Sequence, residues 1–357
     1  MAINRVVRLA GALIASAAIV VGCGSNTATP SPAASGGGSG AASASCPYKF
    51  AVITHGDTGS FWSVVYKGAK DAAAATGCTL TEVYGSQQQG QAQPDDNAEN
   101  QAIQDAVNQK VDGLAVSDHN PSLMNPTLAA AAKAGIPVVL INAGCDDADI
   151  AASGAMTCVG QPEAFAGKQA GARFMAEQAN NVLCVIHQSG QNLLDRCNGI
   201  AQALGTGATC STGDAPASGP ACTELTLSVP NAASNPSASA QQVTAYLQAH
   251  PGVNAVMTLN NAIAQGVQSA LPSGSKIKLA TFDLNSWDIS AVKAGTIDFV
   301  VDQQQYLQGY LPIVFLQLYK AHYGASVGGG TTVPTGPLLV DKTNVSNVEA
   351  GAAAGES

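Results

Sequence analysis

One pattern constrains this chain more than any other: from Cys46 to about His322, short apolar β-type runs alternate with helical segments. Residues 49–55 (K-F-A-V-I-T-H) read as a strand. Residues 61–76 read as a helix, with Phe61, Val64, Val65, Gly68, Ala72 and Ala75 on one face. Strands follow at 79–84, 113–117 and 137–141, with helices at 98–109 and 126–134. A second set places strands at 183–187, 225–229, 255–259, 279–282 and 299–301, and helices at 164–178, 194–203, 240–249, 262–271 and 286–294. A last helix spans 306–322. Strands this short and this apolar are buried on both faces, as in parallel sheets covered by helices. The expected fold is therefore α/β, two Rossmann-like doubly wound lobes in tandem. Such sheets bind ligands beyond the carboxyl ends of their strands, so function is to be sought there.

Composition narrows the function. A chain of 357 residues suggests about two domains with ample cores. Only 11% of it is charged, against roughly 25% in average soluble chains. A nucleic-acid binder needs clustered Lys and Arg to meet phosphates, and this chain has none to spare. With 46% hydrophobic residues it is not of the disordered type. The one long apolar run lies at the extreme N-terminus, which argues against an integral membrane protein.

That run reads as an export signal. Arg5 and Arg8 form a basic region, residues 9–21 are apolar and small, and Val20-Val21-Gly22 precede Cys23. The segment resembles the lipobox of bacterial lipoproteins, in which Cys23 becomes the first residue of the mature chain and carries lipid. Residues 1–22 are thus expected to be a lipoprotein signal peptide. Residues 23–45, rich in Gly, Ala, Ser, Thr and Pro and free of charge, are expected to be a flexible tether. Removing the signal takes away Arg5 and Arg8 and no acid, leaving 13 basic residues (15 less 2) against 24 acids, near −11. Arg173 and Arg196 are then the only arginines.

With Cys23 assigned to lipid, eight of the nine cysteines remain: Cys46, Cys78, Cys145, Cys158, Cys184, Cys197, Cys210 and Cys222. Chain order suggests pairing between neighbours. Cys46 and Cys78 each precede a strand, Cys145 and Cys158 bracket a loop, Cys184 and Cys197 sit on a strand and the helix after it, and Cys210 and Cys222 close a Gly/Pro/Ser-rich insertion. No C-x-x-C occurs, so structural disulfides of an oxidising compartment are expected rather than a redox or zinc motif.

The strand ends carry His55, Asp57, Asp118, His119, Asn142, Gln161, His187, Asn260, Asp283 and Gln303, with Phe61-Trp62 and Arg196 at nearby helix starts. Asp, Asn, Gln and Arg together satisfy both the donors and the acceptors of a polyhydroxylated ligand. Flat aromatics suit the C–H face of a sugar ring. Each residue has a plainer reading too. Phe61-Trp62 suits a core, Asp283 suits a helix cap, and Arg196 suits a pair with Asp195 or a surface acid. His55, His119 and His187 share no metal-ligand spacing, so no metal is expected.

These residues resemble a known family. Phe61-Trp62 with Gly68-Ala69 and Ala72, Gly160-Gln161 with Ala166-Gly167, Arg196 with Gly199, Asn260-Asn261 with Ala264 and Gly266, Phe282-Asp283, and Gln303 with Gln308-Gly309 occur in order. Together they look like the type I periplasmic sugar-binding proteins, the ribose- and galactose-binding receptors of ABC transporters. The resemblance spans about residues 48–340. It implies two lobes joined by three crossings: 46–160 plus 304–332, and 161–303 plus a final strand in 333–345. It also implies a hinge that closes the lobes on a sugar. The family's stacking aromatics fall on Phe61 and Trp62, its hydroxyl-binding arginine on Arg196, its asparagine on Asn260, its bidentate aspartate on Asp283 and its hinge glutamine on Gln303. The ribose binders have an Asp-Arg pair after the fourth strand, where this chain has Asn142-Ala143; Asn142 is kept as a ligand candidate. The 207–222 insertion is unusual for the group.

The expected protein is a lipid-anchored receptor on the outer face of a bacterial cell membrane. It binds a small neutral sugar or polyol as a monomer, hands it to ABC permease subunits, and uses no cofactor and no nucleic acid. One cation in the pocket speaks against an anionic ligand. An alternative is a sensor of the same fold delivering its ligand to a membrane receptor. An exported hydrolase would need an activated nucleophile or paired carboxylates, and the strand ends do not offer that set.

Overall fold

The computed structural model describes residues 46–56, 59–86 and 94–357. The expected signal peptide, Cys23, the tether and Asp57 lie outside the described residues. The first run of elements is β1 (Lys49–Thr54), α1 (Ser60–Thr76), β2 (Thr79–Gly85), α2 (Asp96–Asn108), β3 (Gly113–Val116), α3 (Pro121–Lys133), β4 (Val138–Ile141), α4 (Asp147–Ser153) and β5 (Thr157–Gly160). The second is α5 (Glu163–Ala176), β6 (Asn181–Ile186), α6 (Gln191–Leu204), β7 (Ser211–Thr212), β8 (Ala221–Thr226), α7 (Pro236–Ala249), β9 (Ala255–Thr258), α8 (Asn261–Ala270), β10 (Lys278–Phe282), α9 (Ser286–Ala294) and β11 (Phe299–Asp302). The chain then returns through α10 (Gln305–Ala321), β12 (Thr332–Pro334), β13 (Leu338–Val340) and α11 (Val345–Ala354).

Two sheets result, in the orders β12-β5-β4-β3-β1-β2 and β13-β11-β10-β9-β6-β8-β7. All pairings are parallel except that of β13 with β11. Residues of β3, β4, β5, β6 and β9 are buried throughout, as strands covered by helices on both faces require. Each sheet reverses its winding once, between β1 and β3 and between β6 and β9, and both reversals put their strand ends at one cleft. Crossings between the lobes lie at 161–162, 303–304 and 335–337. The last falls later than the expected boundary after residue 332, because Thr332–Pro334 pairs with β5 in the first sheet.

Two helix pairs owe their closeness to glycine. A Cβ on Gly309 of α10 would run into the Val65 carbonyl oxygen of α1, and one on Gly167 of α5 into that of Arg196 on α6. The α5–α6 contact therefore seats the helix turn that carries Arg196. Four disulfides join Cys46–Cys78, Cys145–Cys158, Cys184–Cys197 and Cys210–Cys222, the pairs that chain order suggests.

Several boundaries differ from the pattern reading. Helix α3 starts at Pro121, not Pro126: a proline at the first helical position signals a start, and Pro121 occupies that place while Pro126 lies inside. Strand β8 starts at Ala221, ahead of the alternating L-T-L-S-V run. Its buried half is the small Ala221-Cys222-Thr223 segment.

Candidate functional site

The seven ligand candidates, Phe61, Trp62, Asn142, Arg196, Asn260, Asp283 and Gln303, all line one cavity between the lobes. The lobes are drawn together over it: Ser60 Oγ of α1 donates to Asn261 Oδ1 of α8 at 3.1 Å. Asn142 follows β4 and Asp283 follows β10, both in left-handed backbone, with φ of 62° and 73°. Non-glycine residues there carry strain, which clusters at ligand clamps. The turns aim both side chains across the strand ends.

Arg196 and Asp283 form the polar centre. Arg196 Nε donates to Glu163 Oε2 at 2.7 Å, and its Nη2 donates to Glu163 Oε1 at 2.8 Å and to Gln303 Oε1 at 2.9 Å. Gln303 Nε2 donates to Asp283 Oδ1 at 2.5 Å. The guanidinium lies 4.5 Å over the Phe282 ring. Among the described residues, Arg196 Nη1 and Asp283 Oδ2 make no hydrogen bond. A donor and an acceptor are thus left over in the cleft, each held from behind. Burial raises the Asp283 carboxyl to about 7, while the Arg196 charge and the Gln303 bond pull it down. His187 beside them is driven down to about 3 by burial and by Arg196, so this imidazole is neutral at ordinary pH.

The plainer readings are thereby decided one by one. Arg196 pairs with Glu163, not Asp195. Asp283 caps no helix, since Asn285 and Asp288 form the capping box of α9. Gln303 accepts from Arg196 and donates to Asp283, so it positions both while it lines the cavity itself. Asn260 Oδ1 caps α8 through Ala262 N–H at 2.9 Å, which leaves its amide nitrogen for the cleft. Asn142 Nδ2 donates to Gln308 Oε1 at 3.2 Å, leaving its carbonyl. Trp62 is packed in the first lobe's core at 6% exposure, and Phe61, edge-on to it at 5.0 Å, is the more accessible ring. Behind Trp62, His55 meets it edge-on at 4.8 Å, and Ser117 Oγ lies 2.8 Å from His55 Nδ1. Burial, then the neighbouring His119, keeps His55 far below the usual histidine range.

Glu163 escaped the pattern reading. It stands in the first turn of α5, where an acid suits any helix N-terminus, so its type gave no signal of its own. Its position just after the Gly160-Gln161-Pro162 crossing and opposite Arg196 across the Gly167 contact is the feature that marks it. Serine strings of hydrolase type occur, G-x-S-x-G at 324–328 and S-x-x-K at 273–276, 275–278 and 290–293; the first follows α10, the serines of the next two lie in the turn between α8 and β10, and the last is on α9. None of their serines lines the cleft or stands on a strand-to-helix elbow. Among the described residues, no three metal-ligating side chains converge.

A family model described as a periplasmic binding protein domain matches residues 50–322. The chain belongs to that family and falls with its type I, sugar-binding members. A carbohydrate transporter from Acidothermus cellulolyticus 11B, solved in complex with myo-inositol, is 35% identical, with a TM-score of 0.75 over 87% of this chain and 99% of that one. The xylose/arabinose-binding protein XylF of Sulfolobus acidocaldarius is 25% identical over 288 residues, 76% of this chain. The chain spans 66% of that relative's length, just under two thirds. A solute-binding protein from Burkholderia graminis C4D1M, solved with D-arabinose, shares the fold at 21% identity, with a TM-score of 0.67 over 84% of this chain and 97% of that one.

Proposed function

We propose that the protein is an extracytoplasmic solute-binding lipoprotein of an ABC importer and takes a neutral sugar or polyol between its lobes. The observation that carries this reading is the pair of unused groups, Arg196 Nη1 and Asp283 Oδ2, in the cavity that Phe61 also lines. A hydroxyl donates to the carboxylate oxygen and accepts from the guanidinium, both as charge-assisted bonds, while the ring covers a C–H face. Arg196 comes with its own counter-ion, Glu163, so the cleft offers no net positive charge to an anion. The xylose/arabinose relative and the myo-inositol-bound neighbour support the same ligand class. A ligand that touches strand ends of both lobes favours the closed arrangement over the open one, and that closed form is what a permease would recognise. Cys23 and residues 24–45 would tether the receptor to the membrane. A thermal-shift screen of sugars, polyols and amino acids tests the reading. Stabilisation by one or more sugars or polyols is expected, and stabilisation by amino acids alone overturns it.

A further inference from the structure

The cleft continues beyond the sugar chamber. Asn142 and Asn192 line both that chamber and a neighbouring one, whose free volume is about 270 Å³ against about 80 Å³. The second chamber is acidic, and its acids come from both lobes: Asp118, Asp146 and Asp149 from the first, Glu163 and Asp195 from the second. Among the described residues, no lysine or arginine lines it. Of these acids, Arg196 pairs with Glu163 alone. His119, the one basic side chain in its wall, sits 2.9 Å from Asp96 and 3.5 Å from Glu99, which lie outside the chamber.

A second observation points to a ligand. Asp118 is wholly buried, lines this chamber, and has no side-chain hydrogen-bond partner on either carboxylate oxygen. Gln161, 2% exposed and in the same wall, has an unpartnered Oε1. Buried acceptors left this way are costly unless something donates to them. The acids also oppose one another across the cleft. Burial and then the neighbouring carboxylates Glu99 and Asp149 push Asp118 up to about 7 against the pull of His119 and the Asn120 backbone, and Asp146 of the first lobe helps to raise Asp195 of the second. Closing the lobes therefore gathers like charge. Phe165, half exposed at the rim, adds a ring face of the kind cations favour.

We propose that this second chamber binds the ammonium group of an amine-bearing polyol, whose ring occupies the sugar chamber. The inference rests on the reading of the sugar chamber given above and extends its ligand class from neutral polyols to their amino derivatives. An ammonium group brings three donors to the carboxylate acceptors of these walls and offsets the repulsion that closure creates. A compact metal ion would need a converging ligand set, which the described residues do not form.

The test is calorimetry on the full chain at pH 7, using glucose and its 2-, 3-, 4- and 6-amino-deoxy analogues, and myo-inositol and its amino-deoxy analogues. At least one amine is expected to bind about tenfold tighter than its parent, with a preference that shrinks as salt is added. That preference should vanish in the double variant Asp149→Asn/Asp195→Asn. If parents bind and no amine binds tighter, this inference fails and the sugar-chamber reading stands. A preference that survives in the double variant also overturns it. If no parent and no amine binds, the sugar-chamber reading fails and this inference falls with it.

Discussion

Glu163→Gln is the sharpest probe of the polar centre, because it changes one atom's chemistry and almost no volume. The Glu163 carboxylate accepts from Arg196 twice, at 2.7 and 2.8 Å, and from Gln161 Nε2 at 2.7 Å. Its side chain is 9% exposed and that of Arg196 is 3% exposed, so the pair is not screened by water. An amide keeps one acceptor. Whichever way it turns, its NH2 faces an Arg196 donor. Removing one partner of a buried pair costs about 3–5 kcal/mol. The lower end, about 3 kcal/mol, applies here because the amide oxygen and Gln303 Oε1 still accept from Arg196. Urea unfolding should show that loss, and calorimetry should show a fall of about tenfold or more in affinity for the sugar found by screening, since the guanidinium loses its anchor. The companion variant Glu163→Gln/Arg196→Met separates the two effects. An apolar replacement of a buried pair is often neutral for folding, so stability should recover while binding stays weak. Glu163→Gln within about 0.5 kcal/mol of the parent, the range of an ordinary surface change, would refute the reasoning. So would a double variant that binds sugar normally.

Three further outcomes are expected. Asp283 sits at about 7 instead of 3.8, so its protonated form contributes stability below the lower value that is lost as pH rises through the upper. Asp283→Asn should therefore gain on the parent in denaturation experiments as pH is raised from 4 to 8, and a difference that stays flat with pH would count against the buried carboxyl. Gly167→Ala should destabilise by about 1–3 kcal/mol through the collision with Arg196 O. Helix propensity alone predicts a gain of about 1 kcal/mol, so the sign of the change decides. Cys23→Ala should release the protein from the membrane fraction, and full retention there would remove the lipid-anchor proposal.

Legibility followed the length and burial of each element. Strands such as β1 and β4 are apolar runs buried along nearly their whole length, and α1 and α9 end at left-handed Gly77 and Gly295, so period and punctuation mark them in the sequence. Helix α4 is only seven residues, β5 is Thr-Cys-Val-Gly with a single large aliphatic where β4 is Val-Val-Leu-Ile, and α11 is an Ala/Gly-rich stretch without a side-chain cap, so none carries a clear pattern. The site followed a different rule. Residues at strand ends were legible because topology fixes where strands end. What each atom does there was not, because it depends on partners far away in sequence. The Glu163–Arg196 bond spans 33 positions, and the Asn142–Gln308 bond spans 166. Gln303 was legible by place, but its bonds to Arg196 and Asp283 were not.

If the proposed function holds, the Gln303 brace ties ligand contact to hinge geometry without any separate relay. Gln161 stands at the first crossing and donates to Glu163, which holds Arg196. Gln303 stands at the second, accepting from Arg196 and donating to Asp283. Gln308 Nε2 reaches the third through Thr335 Oγ1 at 3.2 Å, while its Oε1 accepts from Asn142. The groups offered to a ligand thus hang from side chains that belong to, or bond directly with, all three strands of the hinge. The residue after Gln303, Gln304, is in left-handed backbone at φ 54°, so the second crossing is conformationally demanding. On the proposed function, a hydroxyl bound to Asp283 Oδ2 would fix the carboxylate that fixes Gln303, and so would bias the dihedrals that set the angle between the lobes. Ligands that fill the cleft without engaging Arg196 or Asp283 should occupy it and still fail to hold it closed.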